Sequence, residues 1–377
     1  MKFIHLSDLH IGKRINEMSM LEEQEHILQQ ILGIIDNEKP DAVLIAGDIY
    51  DKSIPNTEAI DLLDRFLVQL SRRGTEVFLI SGNHDSSGRL AFGSRLFDLS
   101  GVHISPVYRG EIAPFTVKGV KIWLLPFLKP AQVRPYFADE EIDSYTGAIA
   151  AAIRAMHVDT AHRNILVTHQ FVTGASRTDS EEVSVGGTDN IDAAVFADFD
   201  YVALGHLHRP QNCGSERIRY CGTPLKYSFS ELRDEKSVTV GELDEDGALT
   251  IRTVPLTPLH DWAQIRGTFD ELTDPSFYDG TTYGEDYVRV VLTDEDDVPD
   301  AFARLRRIYH NLMELDYDNQ RTRAGGALPE AQVKTKSPLE LFEDLYRTQN
   351  GQDLTEEQRT YLQAVIETVW EDSDETD

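Results

Sequence analysis

The first hundred residues alternate between two spacings of apolar positions. Short runs that are continuously apolar are typical of strands buried on both faces of a sheet, and they occur at residues 3–6, 42–46 and 77–80. Between these runs, apolar residues recur at helical intervals over residues 18–36 and 57–72. The order strand, helix, strand, helix, strand predicts parallel neighbouring strands joined by right-handed crossovers.

The same spacing predicts further elements of this first domain. Apolar runs at residues 165–167 and 201–204 indicate buried strands, and residues 147–157 have the spacing of a helix. Residues 101–128 are typical of shorter strands belonging to a second sheet. The fold class is therefore α/β, and we expect the domain to cover residues 1–257.

Residues 258–322 change in character and predict a small α+β domain. Strand patterns at residues 263–269 and 287–292 precede a predicted helix at residues 300–315, which has apolar residues along one face. A linker that contains Gly and Pro is predicted at residues 323–336.

The C-terminal segment, residues 337–370, predicts a helix–loop–helix. Ser337 and Thr355 each begin a capping box, in which a Ser or Thr is followed three residues later by Glu or Gln. Two helices this short, after a linker, cannot easily bury both of their apolar stripes by themselves. Residues 371–377 form an acidic tail.

The formal net charge of the 377-residue chain is −29. A protein that binds nucleic acid is expected to be basic, so any contact with DNA would depend on bound metals or on basic residues near the motif loops. Those basic residues are Lys13, Arg14, Lys52, Arg89, Arg95 and Arg177. Cys213 and Cys221 are too few for a disulfide framework and are expected to be free thiols.

The hydropathy of the chain favours a cytoplasmic location. No apolar run approaches the length of a membrane helix. The N-terminus reaches the polar residues Ser7 and Asp8 without an apolar signal segment.

Polar side chains follow five of the predicted strands, at the point where each strand gives way to a loop. They are Asp8, His10, Asp48, Asn83, His84, Asp85, His169, His206 and His208. In open α/β sheets, ligands gather at the carboxyl ends of the strands. Mixed carboxylate, amide and imidazole donors suit Mn²⁺, Fe²⁺ or Zn²⁺ better than Ca²⁺. Two such cations can activate a bridging water and bind the oxygens of a phosphoryl group.

Within this set, His84 is the natural general acid for a leaving oxygen, and Asp85 is expected to orient or tune it. A single Asp or His in a loop is usually structural, but five motifs in this order at strand ends are hard to obtain by coincidence. Two other functions stay open. One is a phosphodiesterase or phosphatase for small molecules or proteins, and the other is a mainly non-catalytic scaffold for an ATPase.

The motifs resemble the signature of the calcineurin-like metallophosphoesterases. The matching segments are Asp8-x-His10, Gly47-Asp48, Gly82-Asn83-His84-Asp85, His169 and Gly205-His206-x-His208. Residues 3–13, 46–51 and 341–346 are similar, more narrowly, to the SbcD family of bacterial nuclease subunits, and this resemblance runs over nearly the whole chain. It implies two mixed sheets sandwiched with flanking helices.

The resemblance also implies ligands and partners. One metal ion would be held by Asp8, His10, Asp48 and His208. The other would be held by Asp48, Asn83, His169 and His206. Mn²⁺ is the ion that the family implies, and His84 is the implied catalytic histidine. The resemblance implies that the chain cuts DNA ends and hairpins in repair, recombination and replication. It also implies a homodimer within a heterotetramer that contains an SbcC-like, SMC-type ATPase. The domain at residues 258–322 would cap the DNA entrance, and residues 337–370 would bind the ATPase.

Overall fold

In a computed structural model of the chain, residues 1–374 are described, except positions 17, 106, 182–189, 321 and 323–337. The chain divides into two compact units, Met1–His260 and Asp261–Asp377. The predicted linker at residues 323–336 and the capping residue Ser337 lie outside the described residues.

The strands of the first unit are short and numerous. They are β1 (Lys2–Leu6), β2 (Arg14–Ile15), β3 (Met18–Ser19), β4 (Ala42–Ala46), β5 (Glu76–Ile80), β6 (Val102–Ile104), β7 (Phe115–Val117), β8 (Val120–Leu125), β9 (Arg163–His169), β10 (Phe171–Val172), β11 (Asn190–Ile191), β12 (Tyr201–Gly205), β13 (Gln211–Cys213), β14 (Ser215–Tyr220), β15 (Ser237–Leu243) and β16 (Leu249–Pro255). Its α-helices are α1 (Leu21–Glu38), α2 (Thr57–Arg72), α3 (Ser87–Leu90), α4 (Ser94–Phe97), α5 (Pro130–Val133) and α6 (Tyr145–Ala155).

Most of these strands form two six-stranded sheets. The first has the order β16–β15–β1–β4–β5–β6, in which β1, β4, β5 and β6 run parallel. The second has the order β13–β14–β12–β9–β8–β7, in which β14, β12, β9 and β8 run parallel. The remaining strands of each sheet pair antiparallel. Two mixed sheets with flanking helices were predicted, and this prediction is confirmed.

The two sheets pack face to face over one apolar core. Phe3 and Phe78 of the first sheet share a buried cluster with Ile122, Val167 and Tyr201 of the second. The helix α6 packs in a separate cluster on the other face of the second sheet. Each large apolar side chain that is buried contributes about 1.5–3 kcal/mol, so these clusters fix the register of the strands and the position of their ends.

Local sequence accounts for the bounds of the longer helices. The helix α2 covers the predicted residues, and the Asn56 side chain at its N-cap accepts the Ala59 N–H at 2.8 Å. The helix α1 ends at Glu38, and the next residue, Lys39, has a left-handed conformation and donates its N–H to the Ile35 carbonyl oxygen. The helix α2 therefore begins, and α1 ends, where a capping group satisfies the backbone.

One strand lies in a different sheet from the one predicted. Residues 101–128 were expected to belong to the second sheet, but β6 pairs in parallel with β5 in the first. A parallel pair needs a crossover connection between its strands, and the segment that contains α3 and α4 supplies it.

The second unit contains a three-stranded parallel sheet. Its strands are β17 (Trp262–Gly267), β18 (Tyr287–Leu292) and β19 (Asn311–Tyr317), in that order. Its helices are α7 (Phe269–Thr273), α8 (Pro275–Tyr278), α9 (Ala301–Leu305), α10 (Pro338–Asn350) and α11 (Glu356–Asp374).

The helix predicted at residues 300–315 is wrong beyond its first turns. The helix α9 ends at Leu305, and β19 begins at Asn311. Leu305, Tyr309 and Leu312 are nevertheless buried in one cluster. A short helix, a turn and the start of a strand produce the same apolar spacing as a long helix, and only the pairing of β19 with β18 distinguishes the two.

The helices α10 and α11 interact within the second unit. Thr355 and Gln358 form the predicted capping box, with reciprocal side chain–backbone hydrogen bonds of 3.0 and 3.2 Å. An ion pair of 2.9 Å joins Arg359 to Glu343. The helix α11 continues into the acidic tail as far as Asp374. Among the described residues, no helix combines the length and the apolar character needed to cross a bilayer.

Candidate metal centre

Polar loops follow five strands of the first unit and meet in one cluster. The loops after β1, β4 and β5 belong to the first sheet, and those after β9 and β12 belong to the second. The side chains that the structure brings together are Asp8, His10, Asp48, Asn83, His84, His169, His206 and His208. All seven predicted ligands are in this group.

The Asp48 carboxylate lies in the middle of the cluster. Its Oδ2 atom is 3.4 Å from His169 Nε2, 3.7 Å from His10 Nε2 and 3.9 Å from His84 Nε2. Its Oδ1 atom accepts the backbone N–H of His84 at 2.9 Å. One buried carboxylate therefore faces side chains from three other strand ends, as a bridging ligand must.

On one side of Asp48, two imidazoles and a carboxylate converge. His10 Nε2 and His208 Nε2 are 3.1 Å apart. Asp8, His10 and His208 each offer a ligand atom within 4.8 Å of the others, and all three residues are buried.

On the other side, an amide oxygen faces two imidazoles. Asn83 Oδ1 is 2.9 Å from His169 Nε2 and 3.0 Å from His206 Nδ1. His169 Nδ1 lies 2.9 Å from the carbonyl oxygen of Ala46 and donates to it. This hydrogen bond leaves Nε2 directed towards Asn83 and Asp48, which is how second partners orient histidine ligands.

The backbone in this region is held in conformations that side chains rarely adopt. Asp8, His10, Asp48 and His206 have φ angles of 51°, 44°, 47° and 107°, and nine described non-glycine residues in all have positive φ. Such conformations cost about 1–3 kcal/mol each and cluster at functional sites. Packing of the two sheets must therefore sustain this geometry.

Two glycines permit the loops to approach each other. A Cβ atom on Gly82 would lie 2.1 Å from Asp48 Oδ1, and one on Gly205 would lie 1.8 Å from the Ala46 carbonyl oxygen. Both distances are far below contact, so only glycine allows the strand ends to come this close.

Asp85 contacts the loops rather than the ring of His84. Its carboxylate accepts the backbone N–H groups of Ile49, Tyr50 and Gly82 at 2.9–3.0 Å. The ring of His84 instead places Nδ1 3.0 Å from the carbonyl oxygen of Asp51. The Asp85 carboxylate is thus occupied by three backbone donors, and the expectation that it orients or tunes His84 stays a prediction.

Burial and mutual charge govern the ionisation of the cluster. Burial raises the pKa of Asp8 to about 8. Burial also opposes a charge on His169, but the Asp48 carboxylate outweighs it and raises the pKa of His169 to about 9. Burial lowers the pKa of His10 and of His208 well below the ordinary value, so both rings are neutral and can each offer a lone pair.

This donor set fits two divalent cations. Two buried carboxylates, one amide oxygen and four imidazoles supply the mixed oxygen and nitrogen ligands that first-row divalent metals accept. Asp8, His10 and His208 form one group whose ligand atoms lie within 4.8 Å of one another, and Asp48 takes part in two more, with His10 and His84 and with Asp8 and His169.

We expect metal binding to release protons and to weaken as the pH falls. At neutral pH Asp8 and His169 hold protons, because their pKa values are about 8 and about 9, whereas a cation binds the ionised carboxylate and the neutral imidazole. Below these values, each displaced proton lowers the apparent affinity by up to about tenfold per pH unit. Calorimetry of Mn²⁺ binding to chelator-treated protein, in buffers of different ionisation enthalpy, measures the released protons. An affinity independent of pH would contradict this expectation.

Several residues next to the cluster were not predicted from the sequence. The Asp51 carbonyl group holds His84, and Ser180, Glu181, Glu231 and Lys236 surround His208. Glu231 is fully buried and pairs with Lys236 at 2.5 Å. A Glu and a Lys five residues apart in a polar loop give no sequence signal, because such charges are usually solvated.

Two of the candidate DNA contacts lie beside the centre. Lys13 forms an ion pair of 2.8 Å with Asp51, and the Arg177 guanidinium stacks 3.8 Å above the ring of Phe171. Phe171 in turn lies 6.2 Å from His206 between ring centroids. Positive groups are therefore held next to the candidate metal ligands although the chain as a whole is acidic.

Comparison with known families covers both units. Residues 1–210 match the family model for calcineurin-like phosphoesterases. Residues 258–350 match a model described as a type 5 capsule protein repressor C-terminal domain.

Curated relatives match over the full length. The chain is 31% identical to the SbcD subunit of nuclease SbcCD from Staphylococcus epidermidis over 373 residues, which is 97% of this chain and 98% of that protein. It is 30% identical to the SbcD subunit of nuclease SbcCD from Staphylococcus saprophyticus over 99% of both chains. A crystal structure of a dimetal phosphatase from Danio rerio superposes with a TM-score of 0.45 and 13% identity, over 69% of this chain and 98% of that chain.

Proposed function

The chain belongs to the calcineurin-like phosphoesterase family and, within it, to the SbcD nuclease subunits, and from this premise we propose that it is a Mn²⁺-dependent DNA nuclease. It acts as a double-strand exonuclease and as a single-strand or hairpin endonuclease. It works in the cytoplasm with an SMC-type ATPase in DNA end processing during repair, recombination and replication.

The observation that carries this proposal is the position of Asp48. Its buried carboxylate lies 3.4–3.9 Å from imidazole nitrogens of His10, His84 and His169, between the His10–His208 pair and Asn83. Asp8, His10, Asp48 and His208 would hold one metal ion, and Asp48, Asn83, His169 and His206 the other. Together the two ions would supply an activated water and charge stabilisation for a phosphodiester.

The hydrogen bonding of His84 supports a role in proton transfer. A carbonyl oxygen only accepts hydrogen bonds, so Nδ1 of His84 keeps its hydrogen towards Asp51. In the doubly protonated ring, Nε2, which faces Asp48 at 3.9 Å, gives its proton to the leaving oxygen, and the neutral ring that remains keeps its hydrogen on Nδ1. His84 is therefore the proposed general acid.

The choice of DNA over a small phosphodiester is tested by a paired assay. We expect the purified chain, with its ATPase partner, ATP and Mn²⁺, to cleave end-labelled duplex and hairpin DNA, and chelation of the metal to stop cleavage. Bis(p-nitrophenyl) phosphate is the comparison substrate. Hydrolysis of that ester without cleavage of either DNA would favour a small-molecule phosphodiesterase instead.

The helices α10 and α11 are the proposed docking site for the ATPase coiled coil. Phe342 and Leu345 of α10 are 43% and 38% exposed, and Tyr361 and Val365 of α11 are 74% and 40% exposed. Apolar residues exposed along a helix are typical of surfaces that bind another helix in a groove.

Replacing both Tyr361 and Val365 by alanine is expected to weaken binding of the ATPase. Loss of an apolar anchor costs about 2 kcal/mol at an interface, which is roughly a 30-fold loss of affinity. Calorimetry or co-elution with the ATPase measures it. Thr360→Ala, which alters an exposed polar residue of the same helix, is the control. Unchanged binding by the double variant would contradict the docking site.

We also propose that two copies of the chain associate within the complex. Ile54, Phe92, Leu96 and Leu99 of the first unit are 67–85% exposed. Ile54 and Phe92 line a cavity of about 580 Å³, and exposed apolar patches of this kind are typical of protein interfaces. Sedimentation equilibrium of the purified chain tests the dimer, and a monomer at all concentrations would argue against it.

A further inference from the structure

His208 is held by three of its four polar groups. Its backbone N–H donates to Glu181 Oε1 at 2.7 Å. Its carbonyl oxygen accepts from Lys236 Nζ at 2.8 Å and from the Thr223 N–H at 3.1 Å. Its ring atom Nδ1 lies 2.6 Å from Ser180 Oγ. Nε2 is then the atom turned towards His10, at 3.1 Å.

A chain of polar contacts leads from His208 to a buried ion pair. Ser180 Oγ is 2.6 Å from Glu231 Oε1, and Glu231 Oε2 is 2.5 Å from Lys236 Nζ. Glu231 is fully buried and Lys236 is 6% exposed. This series of contacts returns to His208, because Lys236 also donates to the carbonyl oxygen of His208.

The direction of these hydrogen bonds is fixed by chemistry. Glu231 faces an ammonium group and is ionised, so it can only accept. The Ser180 hydroxyl must therefore donate to Glu231, which leaves its oxygen free to accept. His208 Nδ1–H is the group that donates to the Ser180 oxygen. A neutral imidazole with its hydrogen on Nδ1 has its lone pair on Nε2.

We propose that Ser180, Glu231 and Lys236 are positioning residues that set the tautomer and the direction of His208 as a metal ligand. This inference rests on the proposed function, because it requires His208 to bind one of the two cations. Partners of this kind fix ring orientation and raise ligand basicity at metal sites. The loop that follows β10 thereby contributes to the metal centre through Ser180 and Glu181, which contact His208.

Ser180→Ala is the central variant. It removes the acceptor for His208 Nδ1–H and one donor to Glu231 but keeps the Lys236–Glu231 pair. We expect the affinity for Mn²⁺ at the site that contains His208 to fall by about 10–100-fold, the usual effect of losing such a partner. Ser180→Thr retains the hydroxyl group and is expected to restore the affinity. Calorimetry with Mn²⁺ alone, on chelator-treated protein, measures both.

Ser228→Ala is the matched control. Ser228 Oγ donates to the same Glu231 Oε1 atom at 3.0 Å, but it makes no part of the contact between Ser180 and His208. Its removal is expected to leave Mn²⁺ affinity unchanged. Equal losses in Ser180→Ala and Ser228→Ala would overturn the proposal, because the effect would then reflect the stability of the Glu231 carboxylate in general.

Glu231→Gln tests the direction of the hydrogen bonds between Glu231, Ser180 and His208. The amide oxygen would face the Lys236 ammonium and the amide N–H₂ would face Ser180, so the Ser180 hydroxyl would donate to His208 Nδ1 and shift the ring hydrogen to Nε2. Long-range ¹⁵N–¹H NMR of the histidine rings, assigned with His208→Asn, reports the tautomer without metal or activity. Nδ1–H in the wild type and Nε2–H in Glu231→Gln are the expected results, and Nε2–H in the wild type would overturn the proposal.

Failure of this inference is distinguishable from failure of the proposed function. If His208→Asn weakens Mn²⁺ binding while Ser180→Ala binds like the wild type, only the positioning role is lost. If His208→Asn also binds Mn²⁺ like the wild type, the metal assignment itself is wrong, and the inference falls with it.

Discussion

Replacement of Asp48 by asparagine is expected to lower phosphodiester cleavage by about a thousandfold or more. A catalytic metal contributes several kcal/mol to the reaction, and each ~1.4 kcal/mol is a factor of ten in rate. Asparagine keeps the shape of the side chain but removes the charge that three imidazoles face at 3.4–3.9 Å. Metal content after dialysis and cleavage of end-labelled duplex in Mn²⁺ measure the effect.

The Asp48→Asn experiment needs a control for the loss of one carboxylate. Asp61 lies exposed on the helix α2, and Asp61→Asn is expected to keep both metal ions and full activity. If the Asp48→Asn variant retains two ions per chain and cleaves DNA at the wild-type rate, Asp48 is not a bridging ligand.

Replacement of His84 by glutamine is expected to lower DNA cleavage by about 10²–10⁴-fold, the usual contribution of a general acid. The loss should be much smaller with bis(p-nitrophenyl) phosphate, because its leaving group departs without protonation. Metal content should not change, since His84 is outside the proposed ligand sets. The comparison of kcat on the two substrates therefore separates proton transfer from a structural effect.

His162→Gln is the matched control for His84→Gln. His162 is 53% exposed and pairs with Asp159 at 3.0 Å, so its replacement is expected to leave both substrates unaffected. Equal losses on DNA and on the activated ester in His84→Gln would argue against a general acid. A loss of metal in that variant would instead indicate that His84 is a ligand.

Much of the fold followed from short-range patterns. The strand Ala42–Ala46 is continuously apolar and is buried along its whole length, and the helix Thr57–Arg72 has the predicted bounds. Both predictions depend on residues within one element. The prediction for residues 300–315 depended on the same kind of pattern and was wrong, because the pairing of Asn311–Tyr317 with Tyr287–Leu292 replaces the later turns of the expected helix.

Some features of the candidate site also followed from the sequence, and others did not. The order of Asp8, His10, Asp48, Asn83 and the later histidines at strand ends was visible in the sequence, since each motif sits directly after an apolar run. The contact of Asp51 with His84 was not visible, because it is made by the backbone carbonyl group of Asp51, and any residue type offers that atom. Adjacency alone suggested that Asp85 acts on His84, whereas its carboxylate binds three backbone N–H groups.

The sequence by itself determined which side chains are available and that they follow parallel strands, because apolar periodicity and side-chain chemistry are local properties. Only the tertiary structure decided how these groups meet. The packing of two sheets sets Asp48 between His10 and His169 and sustains the positive φ angles of four of the predicted ligands. It also buries Glu231 and Lys236 behind His208. These arrangements depend on contacts between residues far apart in the chain, and no local pattern encodes them.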